Sequence, residues 1–133
     1  MKENYDEYKQ WLNYAEDDYK AANELLKAKL YNLVCFHSQQ SIEKHLKAYL
    51  IYNGINPPRV HHLITLIRII SKFSDAFDEF IDDVKIVDMY YIPSRYPDAP
   101  IGSFPDGMPN ENDAKKALEI ADNIRRRIRE IIR

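Results

Sequence analysis

The stretch PSRYPDAPIGSFPDGMP, Pro93–Pro109, and the short run GINPP, Gly54–Pro58, together hold all seven prolines and all three glycines of a 133-residue chain. These are the residues that end helices and strands. A β sandwich or barrel needs turn residues every eight to twelve positions, roughly the length of one strand and its turn. Here three long stretches contain none. Working outward from the two windows, the sequence predicts an all-α protein: an antiparallel up-and-down bundle of about five helices, folded as one domain over residues 1–133. The span 93–110 is expected to be a long loop, a length that usually signals function.

The helices follow from apolar spacing. Trp11, Ala15, Asp18, Ala22 and Leu25 recur at helical intervals and place one stripe on a first helix, from about Asn4 to Lys29. A turn near Leu30-Tyr31-Asn32 has no glycine or proline, and Asn32 is the expected N-cap of the second helix. That helix runs from about Leu33 to Asn53, with Gly54 placed for a left-handed residue after the last turn. His61-His62 opens a shorter third helix through Ile70. Ser74 or Asp75 starts a fourth that ends before Pro93, and Glu111 starts the last.

Composition narrows the function. The chain is 45% hydrophobic and 30% charged, with 19 basic and 21 acidic residues, so it is neither a strongly basic nucleic-acid coat nor an acidic disordered tail. One cysteine, Cys35, excludes an internal disulfide framework and reads as a packed thiol. The longest strongly apolar run, Leu63–Ile70, is far short of the roughly 20 residues that span a bilayer. With no secretory leader at Met1, a cytoplasmic protein without a membrane partner is expected. The arginines Arg125, Arg126, Arg127, Arg129 and Arg133 read as a solvated face, or else as a small anion or RNA patch.

Several polar residues stand out. Asp18 lies within an apolar stripe, where a carboxylate is costly unless a cation meets it; Lys44, Lys47 and Arg95 are the candidates, and an edge position in water is the alternative. Gln39, Gln40, Glu43, Lys44 and Lys47 form a polar strip on the second helix, and Glu43 with Lys47 reads as a surface i,i+4 ion pair. His61 suits capping or hydrogen bonding. Adjacent His61 and His62 diverge on a helix, and His37 and His45 are eight apart, so no metal site and no cofactor is expected. Arg95 in Arg95-Tyr96-Pro97-Asp98, after Tyr90 and Tyr91, is either preorganised for a phosphate or carboxylate, or a loop anchor paired with Asp98 or an internal acid.

Taken in order, these pieces resemble the HEPN family (higher eukaryotes and prokaryotes nucleotide-binding domain). The resemblance rests on four motifs. They are Trp11-x3-Ala15-x2-Asp18-x3-Ala22, then Phe36-x2-Gln39-Gln40-x2-Glu43-Lys44-x2-Lys47-Ala48, then Pro58-x2-His61-x-Leu63, and Tyr91-x3-Arg95-Tyr96-Pro97-Asp98. It implies a homodimer, a minimal nucleotidyltransferase partner, often in toxin–antitoxin pairs, and a groove for nucleotide or RNA. The ribonuclease branch carries arginine followed after four to six residues by histidine. After Arg95 those positions hold Pro100, Ile101 and Gly102, so the motif is absent. The leading expectation is therefore a non-catalytic protein. Its groove of Asp18, Gln40, Glu43, Lys44, Lys47, His61 and Arg95 would bind a nucleotide phosphate, RNA or a loop of the nucleotidyltransferase partner, with Tyr91 or Tyr96 stacking on a base and Asp98 beside them. A divergent ribonuclease toxin and a dimeric interaction module without ligand are the alternatives.

Overall fold

Helix α2, Tyr31–Tyr52, runs through the middle of the molecule and packs against every other helix. Around it stand α1 (Lys2–Lys27), α3 (Leu63–Ser71), α4 (Ile81–Arg95) and α5 (Glu111–Ile131), with a short 3-10 turn at Asp78–Phe80 leading into α4. The computed structural model describes the backbone of residues 2–95 and 108–132, and the side chains of 7–90 and 108–132. Among the described residues there is no strand, and the arrangement is an antiparallel up-and-down helical bundle.

The central place of α2 explains its composition. Val34, Cys35, Ile42, Leu46, Ala48 and Leu50 are fully buried, but so are Ser38, Gln39 and Ser41, and Glu43, His45 and Lys47 are nearly so. An amphipathic helix hides one face; α2 hides almost all of its circumference. The main core joins Ile42, Leu46 and Leu50 to Leu63, Leu66, Ile67 and Ile70 of α3, Val84 and Val87 of α4, and Ile120, Ile124 and Ile128 of α5. Tyr49 meets Phe77 edge-on at 5.0 Å between ring centres, a favourable aromatic geometry. Cys35 is buried and its thiol is pushed up to about 12 by burial and by Asp113, so it is a packing residue.

Two helix ends share one design. At the end of α2, Ile55 N–H donates to Leu50 O and Gly54 N–H to Ile51 O, with Gly54 at φ 77°. At the end of α1, Leu30 N–H donates to Leu25 O and Lys29 N–H to Leu26 O, with Lys29 at φ 62°. Both are Schellman motifs, in which a left-handed residue lets two trailing amides satisfy the last carbonyls. The left-handed position is expected from Gly54; at Lys29 it is filled by a residue that pays a steric penalty there.

Other boundaries differ from the sequence expectation. Leu30, not Asn32, flanks the start of α2, and it makes no side-chain cap bond. The third helix starts at Leu63, not at His61, with His62 extended before it, and Asp88 of α4 caps it: Leu63 N–H and Ile64 N–H donate to its two carboxylate oxygens at 2.8 and 3.1 Å. Ser74 accepts from Ala76 N–H at 3.2 Å but starts only a turn. Helix α4 continues through Pro93 to Arg95, where a proline's fixed φ is still helical, so the expected loop over 93–110 begins later than the first proline. Its positions 96–107 lie outside the described residues. Asn110 closes the far side with a capping box, exchanging bonds with Asp113 at 2.9 Å each.

The C-terminal arginines divide: Arg125 and Arg127 staple α5 to other elements, while Arg126 and Arg129, 70% and 58% exposed, remain on a solvated face. Arg125 grips Glu16 of α1 with two bonds of 2.7 Å, Arg127 binds Glu79 and the Ala76 carbonyl, and Arg126 pairs with Asp122.

Candidate functional site

Asp18 reaches from α1 into a gap between two residues of α2 that are seven apart, and therefore on one face. His37 Nδ1–H donates to Asp18 Oδ1 at 2.9 Å, and Lys44 Nζ donates to Oδ2 at 2.5 Å. Burial would raise the Asp18 pKa, but the bonds from His37 and Lys44 outweigh it and hold the carboxylate below its usual range. Of the three candidate cations, Lys44 is the partner. His37 was not foreseen, although its two-turn spacing from Lys44 was the available signal.

A second cluster lies alongside. Lys47 Nζ donates to Glu43 Oε2 at 3.0 Å, and His61 Nδ1 donates to Glu43 Oε1 at 3.2 Å. The Glu43 and Lys47 side chains are only 6% and 8% exposed, so this is a buried ion pair and the surface reading is corrected. The reason is the all-round burial of α2, with Trp11 of α1 covering Lys47 at 5.7 Å from ammonium to ring centre. Gln39 donates to the His61 carbonyl at 2.8 Å and Gln40 donates to Gln39 Oε1 at 2.8 Å, which fixes the segment entering α3 against α2. His61 thus has a hydrogen-bonding role.

Above Lys44 opens a cavity of about 460 Å³ lined by Gln10, Trp11, Tyr14 and Lys44. Trp11 was expected in the core stripe; it is half-buried and forms a wall instead. Tyr14, 62% exposed, was missed, because it lies off the apolar stripe. The structure therefore brings Asp18, Gln40, Glu43, Lys44, Lys47 and His61 to one side of the bundle. Tyr91 and Arg95 lie on the last turns of α4, with side chains outside the described set, and Tyr96 and Asp98 lie outside the described residues altogether. Chemically, the cavity offers two aromatic faces, an amide and an ammonium with donors beyond the one given to Asp18. Among the described residues, no group of three or more His, Cys, Asp or Glu side chains could hold a metal ion, and no helix is long and apolar enough to cross a membrane.

The chain is similar to proteins already known. The HEPN domain model matches residues 8–131. A protein of Methanocaldococcus jannaschii named "Putative toxin MJ1304" is 27% identical, over 94% of this chain and 88% of that protein. The crystal structure of TT1696 from Thermus thermophilus superposes with a TM-score of 0.81 at 29% identity, covering 92% of this chain and 96% of that one. The crystal structure of ST0689, an archaeal HEPN homologue, gives 0.74 at 28% identity, covering 95% and 98%. With a family model spanning nearly its whole length, the chain belongs to the HEPN domain family.

Proposed function

We propose that this protein binds a nucleotide, free or at an RNA end, in the cavity between α1 and α2. The base stacks against Trp11 and Tyr14, and Lys44 meets a phosphate oxygen. The observation that carries this reading is the aromatic wall beside an ammonium: a cavity of about 460 Å³ lies within the range of small-molecule sites, and Lys44, bonded to Asp18, keeps further donors at its edge. Base stacking on an aromatic side chain contributes about 1–3 kcal/mol, and an ammonium adds attraction for phosphate. Arg95 belongs to the proposal as a second phosphate contact from the end of α4.

Calorimetry with a panel of nucleotides tests it. Saturable heat is expected for at least one, with affinity falling at least tenfold in Trp11→Ala and in Lys44→Ala. No heat for any nucleotide, or unchanged affinity in both variants, would reject the reading. Arg95→Ala tests the α4 contact separately.

A second reading, a toxin that arrests growth, is supported by the name of the Methanocaldococcus relative. It predicts growth arrest on expression and RNA cleavage that is lost in His61→Ala. Without the arginine–histidine motif, non-catalytic binding remains the leading function.

A further inference from the structure

On the other side of α1 lies a smaller cavity, of about 160 Å³, between α1, α2 and α5. Its polar lining is Asn13, Glu16, His45 and Arg129, and Ile128 and Ile132 form apolar wall. It has about a third of the volume of the Lys44 cavity, a size suited to a small anion rather than a whole nucleotide.

His45 is the unusual member. It is 2% exposed. Its Nδ1 lies 2.9 Å from the Ser41 carbonyl, which can only accept, so Nδ1 carries the proton. Burial lowers the imidazole pKa to about 4, so the ring is neutral near pH 7 and Nε2 is a bare acceptor. Nδ1 is turned back onto its own helix. Among the described residues Nε2 meets no donor, and it is left for the cavity the ring lines. Nε2 is open to this cavity, where a donor from a ligand can take the place of water.

The charges nearby favour an anion. Glu16 is gripped by Arg125 and also accepts from Arg129 at 3.0 Å. Asp122 pairs with Arg125 and Arg126. Of the two charged side chains that line the cavity, Glu16 is already neutralised by the Arg125 fork, and Arg129, 58% exposed, has donors beyond the one given to Glu16.

We propose that this cavity binds a phosphate group that still carries a proton: its P–OH donates to His45 Nε2 while its other oxygens accept from Arg129 and the Asn13 amide. The pairing gives selectivity by chemistry. Phosphate near neutral pH keeps at least one hydroxyl, whereas sulfate keeps none and would set an oxygen lone pair against the Nε2 lone pair. The site is independent of the Lys44 cavity, which α1 separates from it.

The test follows the His45 ring nitrogens by ¹⁵N NMR on the full chain at pH 6.5, titrating inorganic phosphate and, separately, sulfate. A saturable change at His45 Nε2 is expected with phosphate, and at least tenfold weaker binding with sulfate. Arg129→Ala, at an exposed position, is expected to weaken phosphate at least tenfold while the Nδ1–H tautomer is kept. Lys44→Ala is expected to leave the His45 response intact. No saturable response, equal affinity for sulfate, unchanged affinity in Arg129→Ala, or loss of the response in Lys44→Ala would each overturn the proposal.

Discussion

Asp18 and Glu16 leave α1 two residues apart, which on a helix turns them about 200° from one another. Each carboxylate is partly buried, and each meets cations from another helix, yet the two sides are built differently. Glu16 is held by the planar fork of Arg125, both of whose bonds are 2.7 Å, with the guanidinium also stacked at 4.5 Å over Tyr19. Asp18 is held by a flexible lysine and by His37, whose side chain is 29% exposed. Rigid, bidentate, aromatic-backed pairing fixes α5 to α1. Point-charge pairing leaves an ammonium with spare donors at the edge of a cavity. The first arrangement serves the fold, and the second leaves chemistry available.

The largest test of that contrast is Glu16→Ala. It strands Arg125, whose side chain is 19% exposed, with only Asp122 at 3.3 Å. Removing one partner of a largely buried pair costs far more than the pair contributes, so a loss of about 3 kcal/mol is expected in urea unfolding. A loss under about 1 kcal/mol would mean the fork is no stronger than an exposed pair.

Acid reaches the Glu16 side first, through its neighbour. His45 is held down from 6.5 to about 4 in the native protein. Between those values the unfolded chain takes up a proton that the native chain refuses, so stability falls as pH drops through this window. Going from pH 7 to 4.5 is expected to remove about 2.5 kcal/mol, and His45→Gln should flatten that slope. Glu16 and Asp18 are both depressed, so their contributions are present above 4.5 and 3.8 and are lost only at lower pH. An acid limb confined below pH 4 would contradict a buried neutral His45.

The sequence made some of this visible. A carboxylate in an apolar stripe required a cation, and Lys44 was among those named. The polar strip of α2 was recognised as a unit, but Glu43 and Lys47 were placed on the surface, because a single helix carries no sign of how many neighbours surround it. Charged residues on a central helix look the same as charged residues on an outer one. The two Schellman ends show the same limit at the backbone: glycine announces the left-handed residue at Gly54, whereas Lys29 adopts it because α1 and α2 must reverse there. Trp11 matched the core period and still became a cavity wall, since a period gives a direction and not a depth. His45 shows no pattern beyond its distance from His37; its place on a cavity wall exists only once α1 and α5 close around it.

Asp18→Ala is the matching deletion on the other side. Lys44, with a side chain 27% exposed, can turn into water, so the expected loss is about 1–2 kcal/mol, less than for Glu16. A loss equal to that of Glu16→Ala would erase the distinction between the two sides.

The smallest effect comes from exchanging the cation types. Arg125→Lys keeps the charge but replaces two fixed bonds with one movable donor and removes the flat group over Tyr19, so about 1 kcal/mol should be lost. Lys44→Arg also keeps the charge, and the open cavity beside it has room for the larger head group, so stability should change by under about 0.5 kcal/mol. If the contrast is one of geometry, the two exchanges must be unequal. Equal costs, measured by thermal unfolding at one pH and salt concentration, would mean that charge alone holds both carboxylates. The flexibility of Lys44 would then have no bearing on its freedom to meet a ligand.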